Sequence, residues 1–205
     1  HMSCAPVVLY MLLDHATAPP PVRVRVATGG AAPTPALLSR LSALGFDLAH
    51  LYGLTESYGP APINAPDGAG METDALAETL ARQGTRHVTA GPARVVDETG
   101  REVPADGETM GEIVLAGNTV MSGYYRDAEA TEQAFRGGVF HTGELAVVHP
   151  DGQLEIRDRA KDIVITGGEN VSTIDVEKTL HSHPDVLLAA VVAAPHPKWG
   201  ETPWA

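Results

Sequence analysis

The chain has 205 residues, of which 14 are basic and 26 acidic, so its formal net charge is −12. Such a surface repels a nucleic-acid backbone, and no run of Lys or Arg supplies a locally basic face. The single Cys4 excludes an intrachain disulfide and is typical of a reducing compartment, so we expect a cytoplasmic protein. The apolar run at residues 6–13 is too short to span a bilayer. The composition leaves the oligomeric state open.

The first fifty residues alternate between helix and strand signals. Residues 7–13 are apolar and are expected to end a helix, and residues 22–26 alternate strictly, which predicts a strand. Thr34 is suited to cap a helix whose first residue is Pro35. Residues 46–51 predict a second strand. This order of strand, loop, helix and strand predicts an α/β fold with a parallel strand pair and a ligand at the strand ends.

The middle of the chain is dominated by turn residues. Residues 59–71 are rich in Pro, Gly and Ala and are predicted to form a loop, and residues 72–83 favour a short helix. From residue 95 onward, turns alternate with short β-type runs, of which residues 112–115 are the clearest. This pattern predicts a small antiparallel subdomain that resembles a barrel.

A short polar motif, Tyr52-Gly53-Leu54-Thr55-Glu56, follows the second predicted strand. Gly53 allows a close backbone approach, Thr55 offers a hydroxyl to a phosphate and Glu56 offers an oxygen ligand to Mg²⁺. Tyr52 offers a ring on which a base can stack. By itself the motif is weak, because a glycine turn with a nearby Thr and Glu is common.

Residues 140–170 predict a β-hairpin with a carboxylate at one end and a guanidinium at the other. Two apolar runs flank the turn at residues 149–152, which contains Pro, Asp and Gly. The hairpin brings Glu144 close to Arg159, and such a pair can bind a polyol such as ribose, with Glu144 accepting and Arg159 donating hydrogen bonds. The alternative interpretation is a solvated hairpin with an ordinary surface ion pair.

The order of these residues resembles the signature of the adenylate-forming, or AMP-binding, enzyme superfamily. That superfamily includes acyl-CoA synthetases, nonribosomal adenylation domains and luciferases. The resemblance is carried by residues 140–170, where the family has the pattern FHTGDLA, HPDG, DR, KD and GGEN, and by residues 52–56, where it has YG.TE. Residues 111–113 and 123–125 also resemble family landmarks, although ordinary strand and turn positions explain them equally well. Within the superfamily, the sequence motifs most resemble those of the short- and medium-chain fatty acyl-CoA synthetases.

The resemblance implies a partial adenylate-forming fold in three parts. Residues 1–94 would be the end of a large α/β domain that binds nucleotide and acyl group. Residues 95–160 would be an antiparallel β subdomain that ends at the hinge, and residues 161–205 would be the start of a small α+β domain. Lys161 occupies the hinge position of the family.

The resemblance also assigns roles to residues of the site. It implies that Tyr52 packs on adenine, that Thr55 binds phosphate and that Glu56 holds Mg²⁺, so that Thr55 and Glu56 are the catalytic pair. Gly53 belongs to the same motif, and Glu144 and Arg159 would hold the ribose. The family's adenine and acyl pocket is further lined by the loop to which three residues correspond here: Gly29, Gly30 and Ala31.

One residue departs from the family pattern, which has Asp where this chain has Glu144. Glu is longer by one methylene, so two outcomes are open. Either the hairpin has adjusted and Glu144 still accepts the ribose hydroxyls, or nucleotide affinity is weakened, which is the outcome the sequence leads us to expect. The family's upstream phosphate loop and its terminal catalytic Lys have no counterpart here, so we expect a fragment that is inactive alone.

The function implied for the intact enzyme is that of an acyl-CoA ligase. It would activate a fatty or other carboxylic acid with ATP, form an acyl-adenylate with Mg²⁺, and transfer the acyl group to coenzyme A. Two alternatives stay open. One is a nonribosomal-type adenylation domain that loads a carrier protein, and the other is a non-catalytic nucleotide-binding module derived from the family.

Overall fold

A five-stranded sheet occupies the first ninety residues of the chain. The computed structural model describes residues 1–68, 70–183, 185–186 and 188–205. The strand order of this sheet is β1-β2-β3-β4-β5; the first three strands run parallel and the last two are antiparallel to their neighbours. Its elements, in chain order, are β1 (Met2–Cys4), α1 (Pro6–His15), β2 (Val24–Gly29), α2 (Pro35–Ala43), β3 (Phe46–Leu54), β4 (Gly59–Asn64), α3 (Thr73–Ala81) and β5 (Thr85–Arg86).

Helix α2 shows why this region folds as the sequence predicts. The Thr34 hydroxyl accepts a hydrogen bond from the Leu37 N–H at 3.3 Å, and Pro35 opens the helix. The leucines of the inward face are fully buried against the sheet. This first core consists of Leu9, Leu13, Val26, Leu37, Leu38, Leu41, Phe46, Leu48, Ala77 and Leu80.

A second sheet of four antiparallel strands follows, in the order β6-β7-β8-β9. Among the described strands β6 and β9 are its edges, so the sheet is open rather than closed into a barrel. Residues 83–84, after α3, bridge to Leu154 of β9 and so join the first two sheets. The elements are β6 (Ala93–Val96), β7 (Gly111–Leu115), α4 (Ala128–Ala134), a 3₁₀ turn (Arg136–Gly138), β8 (Phe140–Val148) and β9 (Leu154–Arg159).

A third, smaller sheet with strand order β11-β10-β13-β12 lies at the end of the chain. Its one described helix is capped by Ser172, whose hydroxyl accepts a hydrogen bond from the Asp175 N–H at 3.1 Å. The elements are β10 (Val164–Thr166), β11 (Glu169–Val171), α5 (Thr173–His181), β12 (Val192–His196) and β13 (Gly200–Trp204). None of the helices in the described part of the chain is long and apolar enough to cross a bilayer.

The α/β class, the parallel pair β2–β3 and the hairpin β8–β9 are confirmed. The loop predicted over residues 59–71 is wrong at its start, because β4 spans Gly59–Asn64. Pro60 and Pro62 mask this strand in the sequence. They are tolerated because β4 pairs with β3 across an irregular register and with the very short β5.

Candidate functional site

A cavity of about 950 Å³ opens at the carboxyl ends of the parallel strands. It is walled by α1 and the loop after β2, by the end of β3, by the hairpin β8–β9 and by α5. The cavity therefore lies where all three sheets approach one another. Most of the predicted site residues line it, namely Gly30, Ala31, Tyr52, Gly53, Glu144, Arg159 and Lys161.

Three predicted residues do not line this cavity. Gly29 lies one position before the lining loop, and Thr55 and Glu56 form a 3₁₀ turn that follows β3. A Cβ built on Gly29 would lie 2.4 Å from the Leu51 carbonyl oxygen. Gly29 is therefore required for the close pairing of β2 with β3, rather than for the approach of a ligand.

A glycine is required at position 53 for a similar structural reason. A Cβ at this position would lie 2.2 Å from the carbonyl oxygen of Gly59. The close approach expected at Gly53 is thus made by β4, the neighbouring strand, although the residue also lines the cavity. The glycine therefore lets the end of β3 pack closely against β4.

Tyr52, Glu144 and Arg159 meet at one side of the cavity. Glu144 and Arg159 are paired in the register of β8 and β9, and the Arg159 Nε lies 3.8 Å from the Glu144 Oε1. The Tyr52 hydroxyl donates a hydrogen bond to the other carboxylate oxygen, Oε2. The Tyr52 ring is only 7% exposed and packs in the second core, whereas the Arg159 side chain is 53% exposed. The predicted pair is therefore brought together, with a third member that the sequence assigned to stacking.

The electrostatics of these three residues favour a ligand whose hydroxyl groups can donate hydrogen bonds to the Glu144 carboxylate. Burial raises the pKa of Glu144, opposed by the Tyr52 hydrogen bond and the Arg159 charge; the charge of Glu56 adds to the increase. Burial and the adjacent Glu144 likewise raise the pKa of Tyr52, so its hydroxyl stays protonated and can donate. Within the described residues, Oε1 of Glu144 accepts no hydrogen bond and is free to receive one from a ligand hydroxyl.

The strand that carries Glu144 departs from a regular ladder. Glu112 of β7 pairs with Leu145, and Val114 pairs with His141, so three residues of β8 face one residue of β7. The Thr142 hydroxyl bridges this bulge, donating to the Ile113 carbonyl at 2.8 Å and accepting from the Glu144 N–H at 3.1 Å. The Glu112 carboxylate accepts the Gly143 N–H at 2.9 Å.

Glu112 is a residue that the sequence analysis missed, because it was read as an ordinary strand position in a family landmark. A signal was present, since a Glu beside Gly111 in an otherwise apolar strand is unusual unless its charge is paired. The structure provides that pairing through Arg136 and His141, both of which contact the carboxylate.

Glu56 lies on a separate turn and is held by the loop that follows β7. The Tyr124 hydroxyl donates a hydrogen bond to Glu56 Oε1 at 3.0 Å, and the Glu56 carbonyl accepts the Met121 N–H at 2.7 Å. Within the described residues no group of three or more His, Cys, Asp or Glu side chains could hold a metal ion. A cation at Glu56 would therefore need further oxygen ligands from a phosphate, which is how Mg²⁺ is commonly bound.

Asp158, also missed, joins the hairpin to the segment beyond Lys161. It is 1% exposed and accepts hydrogen bonds from the N–H of Thr173 at 2.6 Å and from its hydroxyl at 3.1 Å. A carboxylate at this first helical residue also interacts favourably with the helix dipole of α5. Lys161 lies in the turn between β9 and β10 and lines the cavity.

A half-buried ion-pair network ties the hairpin to α5 near the same wall. Glu155 of β9 accepts hydrogen bonds from Lys178 at 3.0 Å and from the His149 Nε2 at 2.8 Å, and Arg157 lies 3.3 Å away. Burial would raise the pKa of Glu155, but His149 and the two cations outweigh it and hold that pKa below its ordinary value. The network fixes α5 against β9 in the arrangement described here.

Comparison with known families gives a match to the AMP-binding enzyme model over residues 1–125. Among curated proteins, an acetate–CoA ligase of Humulus lupulus is 49% identical, and a peroxisomal acetate/butyrate–CoA ligase of Arabidopsis thaliana is 45% identical. Both matches cover 100% of this chain and 37% of the relative. The chain thus spans little more than a third of the length of these curated relatives.

Solved structures give the same picture. The o-succinylbenzoate CoA synthetase of Bacillus subtilis in complex with its acyl-adenylate intermediate superposes with a TM-score of 0.82 at 29% identity. An amide bond synthetase of Marinactinospora thermotolerans superposes with the same TM-score of 0.82 at 31% identity. Each match covers 98% of this chain and 40% of the other chain. The three-part arrangement of sheets therefore corresponds to a part of these enzymes.

Proposed function

The chain belongs to the AMP-binding enzyme family, and we propose that its intact enzyme is an ATP-dependent acyl-CoA ligase. The enzyme would join a carboxylic acid to AMP with release of pyrophosphate, and coenzyme A would then replace AMP. Two kinds of similarity support the proposal: the matching curated relatives are named as acetate–CoA and acetate/butyrate–CoA ligases, and a structural relative is described with an acyl-adenylate.

The observation that carries the proposal is the pair formed by Glu144 and Arg159 at the cavity. We propose that Glu144 Oε1 accepts the ribose hydroxyls and that the exposed Arg159 guanidinium donates to the same sugar. Of the two outcomes open for the longer Glu144 side chain, we propose that the hairpin has adjusted. The support is that the carboxylate reaches both Tyr52 and Arg159 while Oε1 stays available.

The proposed phosphate and metal ligands are Thr55 and Glu56. Glu56 Oε2 is the oxygen left over from the Tyr124 hydrogen bond, and with the phosphate oxygens of ATP it fits the ligand preference of Mg²⁺. When bound, the cation would neutralise charge that develops on the phosphates. The Thr55 hydroxyl would donate to the α-phosphate and orient it for attack by the carboxylate.

The remaining proposed roles concern residues that line the cavity or lie next to it. We propose that Gly30 and Ala31 face the adenine and acyl group, with Gly29 shaping the strand before them, and that the apolar side chains of α1 contribute to the acyl wall. Tyr52 would contact the base through its ring edge as it donates to Glu144. Gly53 would hold the backbone there. Adenine and a short acyl chain would then lie side by side at the strand ends.

Domain organisation is proposed on the same basis. Residues 1–94 would belong to the large domain, residues 95–160 to an antiparallel subdomain and residues 161–205 to the small domain, with rotation at Lys161. Coenzyme A would enter after that rotation. The cytoplasmic location stays a prediction, because several of the matching relatives are named as peroxisomal.

The test is pyrophosphate exchange and acyl-CoA formation by the full-length protein, with acetate, butyrate, hexanoate and benzoate as acids. We expect acid-dependent exchange and thioester formation, and none from the 205-residue chain alone. Exchange without transfer to coenzyme A, but with transfer to a carrier protein, would favour a nonribosomal-type domain. Nucleotide binding without exchange would favour a non-catalytic module, and either result would overturn the ligase proposal.

A further inference from the structure

The Glu112 carboxylate contacts the backbone of the β8 bulge, next to the proposed ribose ligands Glu144 and Arg159. Its Oε1 accepts the Gly143 N–H at 2.9 Å, and Gly143 is the residue immediately before Glu144. Gly143 has a φ of +74°, so the backbone turns here into the left-handed region. The N–H that this turn points away from the normal ladder therefore finds its acceptor in a side chain.

Arg136 and His141 hold the Glu112 carboxylate in place. Arg136, on the 3₁₀ turn before β8, donates to Oε2, and the His141 Nδ1 lies 2.7 Å from the same oxygen. The His141 Nε2 in turn lies 3.1 Å from the Arg136 carbonyl oxygen. The Glu112 side chain is 19% exposed. A carboxylate that is anchored on one oxygen leaves the other in a defined position for the Gly143 N–H.

Because Gly143 lies in the β8 bulge, its contact with Glu112 can affect the direction of the Glu144 side chain. Three residues of β8 face one residue of β7, and a one-residue change of register moves a side chain to the opposite face of the sheet. The Gly143 carbonyl also accepts the Ala160 N–H at 2.9 Å, next to Arg159. Gly143 is thus bonded to β7 through its N–H and to the end of β9 through its carbonyl.

We propose that Glu112 is a positioning residue for nucleotide binding, acting through Gly143 on the direction of the Glu144 carboxylate. This inference rests on the proposed role of Glu144 at the ribose. Removing the Glu112 carboxylate leaves the Gly143 N–H without its acceptor, so the bulge relaxes and Glu144 Oε1 moves relative to Arg159. A displacement of this kind weakens the binding of a sugar that needs both groups.

The functional test compares Glu112→Ala, Glu112→Gln and the control Glu102→Ala in the full-length protein. Glu102 bridges to Val96 of β6 and pairs with Arg94 at 3.5 Å, and both side chains are exposed. We expect Glu112→Ala to raise the KM for ATP about tenfold while kcat changes less than about threefold. Glu112→Gln should restore only part of the affinity, because its amide oxygen can accept the Gly143 N–H but its NH2 group cannot accept from Arg136. Glu102→Ala should have no effect.

A double-mutant cycle decides whether Glu112 acts through Glu144. If it does, adding Glu112→Ala to Glu144→Ala should raise the KM for ATP no further than Glu144→Ala alone. Additive effects would overturn the proposal. If Glu144→Ala itself leaves the KM unchanged, the proposed ribose role fails, and this result is distinct from a failure of Glu112 alone.

The contact is also testable without activity. In ¹H–¹⁵N spectra of the 205-residue chain, the Gly143 amide proton should shift upfield in Glu112→Ala and much less in Glu112→Gln, because a hydrogen bond to a carboxylate deshields the proton. The Ala93 and Leu115 amides, which are paired in the regular ladder of β6 and β7, should change little. An unmoved Gly143 resonance in a folded Glu112→Ala chain would overturn the proposal.

Discussion

The two groups of proposed nucleotide ligands are held in different ways. The hairpin arm, which we define as Tyr52, Glu144 and Arg159, is built on paired strands, and the half-buried Glu112 carboxylate binds the backbone next to Glu144. The turn arm, Thr55 and Glu56, sits on a single 3₁₀ turn whose carboxylate is bonded to one exposed tyrosine. The difference teaches that the hairpin arm, which we propose for the ribose, is fixed by the fold itself, whereas the turn arm, which we propose for the phosphates, would be completed by the ligand and its cation.

The contribution of the turn arm to adenylation should therefore depend on the cation. Of the substitutions considered, Glu56→Gln is expected to have the largest effect. The amide keeps the shape of the side chain but is a weaker oxygen ligand, so we expect adenylation to fall about tenfold or more at limiting Mg²⁺. Higher Mg²⁺ should restore part of the rate. Pyrophosphate exchange in the full-length protein at two Mg²⁺ concentrations measures both effects.

Tyr124→Phe is the matched control for that experiment. It removes the hydroxyl that holds Glu56 Oε1 without removing the carboxylate, so the rate should change less than about threefold. An unchanged rate in Glu56→Gln at low Mg²⁺ would show that Glu56 is an ordinary loop carboxylate. The contrast between the two arms would then lose its functional meaning.

A smaller effect, on stability rather than catalysis, is expected at the network that fixes α5 against the hairpin. The pKa of Glu155 is held below its ordinary value in the folded protein, so its ionised form stabilises the fold at neutral pH. That contribution is present above the ordinary Glu pKa of about 4.3 and is lost as the pH falls through the lower, folded pKa.

Glu155→Gln should accordingly lower the free energy of unfolding by about 1–3 kcal/mol at pH 7. The difference from the wild type should shrink below about pH 4, where the wild-type carboxylate becomes protonated. Urea unfolding at pH 7 and pH 3.5 measures this, with Glu102→Gln as an exposed ion-pair control whose effect should be close to zero. A difference that is the same at both pH values would contradict the role of the Glu155 charge.

The hairpin arm was the part of the site that sequence reasoning could predict best. Its turn residues and flanking apolar runs specify pairing, and pairing alone brings Glu144 opposite Arg159. The helix α2 was equally accessible, since Thr34 and Pro35 are local signals that the structure uses. In both cases the information lies within a few residues of the element that it specifies.

Features that depend on distant partners were harder to predict. The strand β4 contains two prolines and forms only because β3 and β5 are available to pair with it. Glu112 lies 31 positions before the Gly143 amide that it binds, and Tyr52 lies 92 positions before Glu144. Periodicity carries no information about such contacts, so the sequence did not predict the hydrogen bond from Tyr52 to Glu144 or the one from Gly143 to Glu112.

The most direct test of the account measures the affinity of the full-length protein for ATP and for 2′,3′-dideoxy-ATP. If Glu144 accepts the ribose hydroxyls, the wild type should bind ATP about tenfold more tightly than the dideoxy analogue, because a charged hydrogen bond is lost. Glu144→Ala should bind the two nucleotides equally, while Glu102→Ala should discriminate as the wild type does. Equal binding by the wild type, or discrimination that survives in Glu144→Ala, would contradict the account.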